Sequence, residues 1–190
     1  MVYLTFFKQE KYLHEKEHKE GLRLLEYAIK EEYGIEKLPK IEKGIHGKPY
    51  FIEGGPYFNI SHTKGIAVCA LGEIEVGIDV EQIRGISESM EKRVLSKEER
   101  EWVSGKEREE AFIRLWTLKE SYVKATGQGL TMNFSKISFQ FLNNKKDGQI
   151  LCNQKGYCFY QQKIGTDAYL ALCLKTTEIP EEMKKLHILF

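Results

Sequence analysis

The stretch GIAVCALGEIEVGIDVE, residues 65–81, decides the fold. Its first part, Ile66 to Leu71, is an unbroken apolar run of strand length bounded by glycines, which reads as a buried strand. Its second part, Ile74 to Glu81, alternates. Val76, Ile78 and Val80 fall on one face of a strand, and Glu75, Gly77, Asp79 and Glu81 on the other. Upstream, Val2 to Phe7 reads as a first strand. From His14 to Tyr33 the period turns helical, with Leu22, Leu25, Ile29 and Tyr33 in step and Gly34 as a stop. Glycines and prolines cut Lys40 to Ile60 into short β-like pieces, of which Phe58 to Ile60 is the clearest.

Downstream, Ser96 to Trp102 predicts a short helix, with Ser96 as N-cap and Glu99 completing a capping box. A long helix is predicted from Arg108 to Thr126, closed by Gly127. The runs KISFQFL, GQILC, GYCFYQQK and AYLALCL then follow as strands. The class is α+β with mostly antiparallel strands. GIAVCALGEIEVG and DAYLALCLKTTEI echo each other around a cysteine, and a long helix precedes each β-rich half. This hints at two related halves, 1–73 and 74–190, each a helix on a small sheet, although chance similarity between two core strands is the stronger explanation of the echo. The last residues, IPEEMKKLHILF, suggest no element.

The chain has 190 residues, long enough to bury a substantial core. Its 29 Lys and Arg nearly balance its 28 Asp and Glu, so no overall basic field recruits nucleic acid. No run approaches the roughly 20 apolar residues of a membrane helix, and the N-terminal stretch lacks the features of a secretory leader. The four cysteines form no CxxC pair, and Cys69 and Cys173 lie in apolar runs as buried thiols. Cytoplasm is the expected compartment.

Three segments carry chemistry. In EVGIDVE, Asp79 and Glu81 share one strand face and could share a cation, or simply form an acidic solvent face. In AFIRLWTLKESYVKATGQG, Phe112, Leu115, Trp116 and Val123 make an apolar stripe. Trp116, Glu120 and Lys124 lie together on one face at i, i+4 spacing. Glu120 and Lys124 are either an ordinary exposed ion pair or a third carboxylate and a cation in a site. Three carboxylates without clustered His or Cys suit Mg²⁺ bound together with phosphates, and Lys124 would add a point charge. The third segment is HGKPYF followed by FNISHT. Its turn presents Lys48 and Pro49, and Ser61 and His62 end a strand where an anion could sit. There is no GxGxxG, GxxxxGK[ST] or GxSxG.

In this order and spacing the segments resemble the 4′-phosphopantetheinyl transferase superfamily. HGKPYF with FNISHT is similar to its first motif pair, VGIDVE to its second, and LWTLKESYVKATGQGL to its third. The length resembles the monomeric subclass typified by the surfactin-synthetase activator, in which one chain holds two pseudo-twofold halves with a single site between them. The resemblance implies transfer of the phosphopantetheine arm of coenzyme A to a serine of an apo acyl- or peptidyl-carrier protein, with release of adenosine 3′,5′-bisphosphate. It implies Mg²⁺, replaceable by Mn²⁺, on Asp79, Glu81 and Glu120. Glu120 would also be the general base, and Lys124 would bind phosphate and assist the leaving group. Lys48, Pro49, Ser61 and His62 would line the nucleotide site, with Lys16, Lys19 or Arg23 adding a basic contact. Two rival readings are another Mg²⁺-dependent nucleotidyl transferase or nuclease, and a non-catalytic module that binds coenzyme A or a carrier.

Overall fold

The computed structural model describes residues 1–8, 13–142 and 149–189. Strand β1 (Val2–Phe6) leads to the long helix α1 (Leu13–Tyr33). A small hairpin, β2 (Ile41–Lys43) and β3 (Pro49–Phe51), precedes β4 (Tyr57–Thr63), β5 (Ile66–Gly72) and β6 (Val76–Gln82). Two short helices, α2 (Glu88–Val94) and α3 (Lys97–Trp102), come before the long α4 (Arg108–Thr126). The chain continues through β7 (Phe139–Leu142), β8 (Gln149–Cys152), β9 (Cys158–Ile164), β10 (Ala168–Leu174) and β11 (Leu186–Leu189).

The main sheets have strand orders β11-β1-β5-β4 and β6-β10-β9. Setting β11 aside, the two are the same motif twice. A strand and a long helix are followed by a small hairpin (β2–β3 or β7–β8) and then by an antiparallel pair. The second member of that pair sits beside the first strand. The echo between residues 65–77 and 167–179 falls on equivalent central strands, β5 and β10. The C-terminal tail departs from this repeat. Strand β11 crosses back and pairs in parallel with β1, Val2 opposite Leu186, so a segment that suggested no element completes the first sheet.

The burial pattern follows from strand alternation. Val2 and Leu4, Val68 and Ala70, Ile78 and Val80, and Leu170 and Leu172 point into one cluster between the sheets. The opposite faces of β1 and β5, through Tyr3, Cys69 and Leu71, receive Leu25 and Ile29 of α1. On the other side, Ala171 and Cys173 of β10 receive Leu115, Leu118 and Tyr122 of α4. The layers are therefore helix, sheet, sheet, helix. This corrects one expectation: the acid-bearing face of β6 is not solvated, because α4 lies across it. A Cβ at Gly77 would overlap the Ser121 carbonyl oxygen and the Ala125 backbone nitrogen, so only glycine lets the helix approach this closely.

The two halves meet where β4 runs alongside β6, linked by side chains. Asn59 Oδ1 accepts the Ile78 N–H at 2.8 Å, and Ser61 Oγ accepts the Val80 N–H at 3.4 Å. Ser61 Oγ donates to Asp79 Oδ1 at 2.8 Å, and Thr63 Oγ1 to Glu81 Oε2 at 3.3 Å. Asn59 and Ser61 of FNISHT thus satisfy backbone N–H groups on the edge of the neighbouring half, as a buried seam requires, and Thr63 meets its Glu81 carboxylate.

Candidate active site

Gly77 sets the height of α4 above β6, and helical spacing then places Glu120 and Lys124 over Asp79. Lys124 Nζ donates to Asp79 Oδ1 at 2.6 Å and to Ser61 Oγ at 2.8 Å. Asp79 Oδ2 is buried and has no hydrogen-bond partner. Glu81 accepts the Thr63 hydroxyl and lies 4.0 Å from Arg84 Nη2. Burial pushes the Glu81 carboxyl above its ordinary value, and the Asp79 charge adds to this, against the pull of Arg84. Glu120 is pushed up to about 7, first by burial and then by the Asp79 carboxylate, with Lys124 pulling the other way. Burial dominates because the charged form loses water that nothing replaces.

The group has the chemistry of a divalent-cation site, with all-oxygen donors, an orphaned buried carboxylate oxygen and a neighbouring acid that resists ionisation. Among the described residues, no three His, Cys, Asp or Glu side chains converge as a complete set around one point. Two carboxylates suffice for Mg²⁺ when waters and substrate phosphates fill the remaining positions. The residues present fit the ion on those terms.

Beside this cluster a cleft of about 610 Å³ opens between the halves, lined by His62, Asn59, Glu120, Lys124, Lys48 and Phe134 among others. That volume lies in the range of small-molecule sites. His62 places Nδ1 3.3 Å from Glu17 Oε2 of α1. Pro49 lines the cleft, and so does the stem of Lys48. The Lys48 ammonium, however, donates to the carbonyl of Ala125 and, at 3.4 Å, to that of Val76. It neutralises the carbonyl end of α4, where a cation is favoured. Gly127, with φ 68°, closes the helix, and a Cβ there would meet Lys48 Cδ at 3.1 Å. A Cβ at Gly129 would meet the His46 carbonyl oxygen at 3.0 Å. The two glycines of TGQG thus let the β2–β3 turn of one half seat on the helix end of the other.

The structure therefore brings Asp79, Glu81, Glu120, Lys124 and Ser61 near one another, with Glu120 and Lys124 in the cleft lining and Asp79, Glu81 and Ser61 outside it. Lys48 contributes its stem to the cleft, with its charge turned to the helix end. Of the basic candidates on α1, Arg23 pairs with Glu20 at 2.8 Å, and neither it nor the exposed Lys19 lines the cleft; Lys16 lies outside the described side chains. His18 and Leu22 line it instead.

In sequence Lys119 has a place in the LWTLKESYVKATGQGL motif but no role, and the structure buries it wholly. Its ammonium donates to Glu99 Oε2 at 2.5 Å, to the Val94 carbonyl at 2.8 Å and to the Phe134 carbonyl at 3.0 Å. Glu99 also accepts the Ser96 N–H at 2.8 Å and the Phe139 N–H at 2.9 Å. The available signal was the capping box: its glutamate is one half of a buried ion pair whose other half is the first lysine of the LKESYVK segment.

Residues 75–173 match the family model described as the 4′-phosphopantetheinyl transferase superfamily. The chain belongs to that superfamily. The matched span holds Asp79, Glu81, Glu120 and Lys124, while Lys48, Pro49, Ser61 and His62 lie before it. Among members of the superfamily, 4′-phosphopantetheinyl transferase Sfp of Bacillus subtilis (strain 168) is 28% identical over 84% of this chain and 74% of its own length. 4′-Phosphopantetheinyl transferase psf-1 of Bacillus pumilus is 30% identical over 86% and 73% respectively. A third, a 4′-phosphopantetheinyl transferase of Bacillus subtilis, is 31% identical over 80% and 71%. A solved holo-acyl-carrier-protein synthase of Thermotoga maritima overlaps 55% of this chain and 64% of its own at 23% identity, with a TM-score of 0.44, too partial a likeness to carry an argument. Among the described residues, no helix is long and apolar enough to cross a membrane.

Proposed function

We propose that this superfamily member transfers the phosphopantetheine moiety of coenzyme A to a serine hydroxyl of an apo acyl- or peptidyl-carrier protein. The observation that carries this reading is the placing of Glu120 and Lys124 in the wall of a cleft between the halves, with the buried Asp79 paired to Lys124 behind them. The serine oxygen attacks the phosphorus that bears the pantetheine. The pyrophosphate bridge breaks, and adenosine 3′,5′-bisphosphate leaves with the bridging oxygen. Glu120, poised near neutrality, takes the serine proton, as a general base works best when its pKa lies near the working pH. Lys124 is a fixed cation beside the phosphates, where preorganised charge stabilises the charge that develops on the leaving group. Mg²⁺, or Mn²⁺ in its place, would sit among Asp79, Glu81 and Glu120, held by two of these carboxylates with waters and substrate phosphates in the remaining positions, and the bound ion would neutralise the pyrophosphate. His62, Pro49 and the stem of Lys48 bind the nucleotide end, and Ser61 holds Asp79 and Lys124 in register.

Both halves of the cleft come from one chain, which supports a monomer as the active unit. Four free cysteines support a reducing compartment, the cytoplasm. The test is incubation with coenzyme A, Mg²⁺ and a panel of apo carriers, read by intact mass. A phosphopantetheine adduct on at least one carrier, lost in EDTA and regained with Mg²⁺, is the expected outcome. No adduct on any carrier contradicts the reading, and full transfer in chelator removes the metal from it.

A further inference from the structure

Phe134 stands in the cleft wall on the same side as Glu120, in the turn that follows α4. Two grips hold it. Its ring stacks on Trp116, with centroids 5.4 Å apart and planes 11° off parallel, and Trp116 in turn stacks on Phe112. Its carbonyl accepts the Lys119 ammonium at 3.0 Å. Trp116 and Lys119 both project from α4 just before Glu120, so one helix positions the acid and the aromatic wall together. The anchoring pair is sealed: the side chains of Lys119 and Glu99 are 0% and 2% exposed, and each charge meets several partners. Every donor of Lys119 is committed, so Lys119 cannot itself reach a substrate.

We infer that Phe134 is a substrate-contacting specificity residue that gives coenzyme A an apolar wall beside Glu120, and that Lys119, Glu99 and Trp116 are positioning residues that act through it. This rests on the proposed transferase reading. The contact is assigned to coenzyme A because Phe134 lines the same cleft as Lys48, His62 and Lys124. An aromatic ring already stacked on a second ring loses little freedom on binding, so its contact area favours the ligand at small entropic cost.

The test compares four proteins with the parent: Phe134→Ala, Trp116→Leu, the pair Lys119→Met with Glu99→Gln, and that pair combined with Phe134→Ala. The paired substitution removes both buried charges together, and such replacements are often tolerated. Trp116→Leu touches no charge and serves if the paired variant does not fold. Folding is checked by thermal unfolding, coenzyme A affinity by calorimetry, and turnover by intact mass. Each variant should weaken coenzyme A affinity and raise its KM by about tenfold, a typical effect of altering one apolar contact in a pocket. The fall in kcat should be smaller. Adding Phe134→Ala to the paired variant should cost little more than either alone, the non-additivity expected of residues acting through one contact.

Parental affinity in a folded paired variant or in Trp116→Leu would reduce those residues to fold stabilisers and overturn the inference. So would a KM change confined to the carrier protein, or full additivity. Failure of the parent to bind coenzyme A at all would remove the transferase reading, and the inference with it. Binding and transfer by the parent with unchanged variants would sink the inference alone.

Discussion

Helix α4 carries two lysine–carboxylate pairs, Lys119 with Glu99 and Lys124 with Asp79, and they are built to different ends. The first is sealed. Both side chains are buried, and backbone groups of Val94, Ser96, Phe134 and Phe139 complete the partners of both charges. The second is open. Lys124 is 27% exposed, Asp79 Oδ2 has no partner, and a second acid beside it, Glu120, is raised to about 7. A buried ion pair with every group satisfied fixes a structure, whereas a partly satisfied one awaits something from outside. The contrast separates the anchor of the fold from the place where phosphate chemistry fits. Both pairs lie within the span that matches the superfamily, so that match alone does not tell them apart.

The largest expected effect is on chemistry at the open pair. Glu120→Gln should lower turnover by about a hundred- to ten-thousand-fold, the usual range for loss of a general base, while the protein stays folded. Near-parental turnover, read by intact mass of the carrier, would return Glu120 to the role of a helix-surface acid. Next comes stability at the sealed pair. Lys119→Met alone leaves Glu99 as an uncompensated buried charge and should cost about 3–5 kcal/mol in denaturant unfolding. Lys124→Met should cost less, and Mg²⁺ should recover part of that loss, because only the open site can admit a replacement cation. Equal losses, or equal recovery, would erase the distinction between the pairs. Gly77→Ala should cost roughly 1–3 kcal/mol by forcing α4 off β6, and turnover should fall with it, since Glu120 and Lys124 ride on that helix.

The smallest effect is a pH dependence. The folded pKa of Glu120 is raised, so the fold binds this proton more tightly than the unfolded chain does. That stabilisation is complete below the ordinary carboxyl value near 4.5 and is lost as pH rises through about 7. In metal-free solution Glu120→Gln should therefore melt higher than the parent at pH 8, by roughly 2–4 °C for each kcal/mol relieved. At pH 5 the two should melt nearly together. Identical melting at both values would mean that Glu120 ionises without penalty.

Much of the fold was legible in the sequence because its signals are local. The capping box at Ser96 and Glu99, the stop at Gly127 and the alternation in EVGIDVE each depend on neighbours a few residues away. The catalytic candidates were legible for the same reason, since strand and helix periods place Asp79 with Glu81 and Glu120 with Lys124. Long-range pairing was not legible. Nothing in LHIL announces that β11 will lie beside β1. Helix α2 was missed because its seven residues, ESMEKRV, carry little apolar signal. The side-chain seam of FNISHT was not legible either: Ser61 reads as a ligand candidate, and only the placing of β6 beside it shows that it also engages Asp79, Lys124 and the Val80 N–H. Lys48 illustrates the same limit, for its ammonium serves a helix terminus that lies far away in sequence.

The most direct measurement is calorimetric titration of Mg²⁺ at saturating coenzyme A into the parent, into Glu120→Gln, and into the paired variant Lys119→Met with Glu99→Gln. Glu120→Gln should bind Mg²⁺ at least about tenfold more weakly than the parent, since even outer-shell partners of a metal are worth that much. The paired variant should titrate like the parent. Parental Mg²⁺ affinity in Glu120→Gln, or an equal loss in both variants, would contradict the claim that the open pair alone is the site of the chemistry.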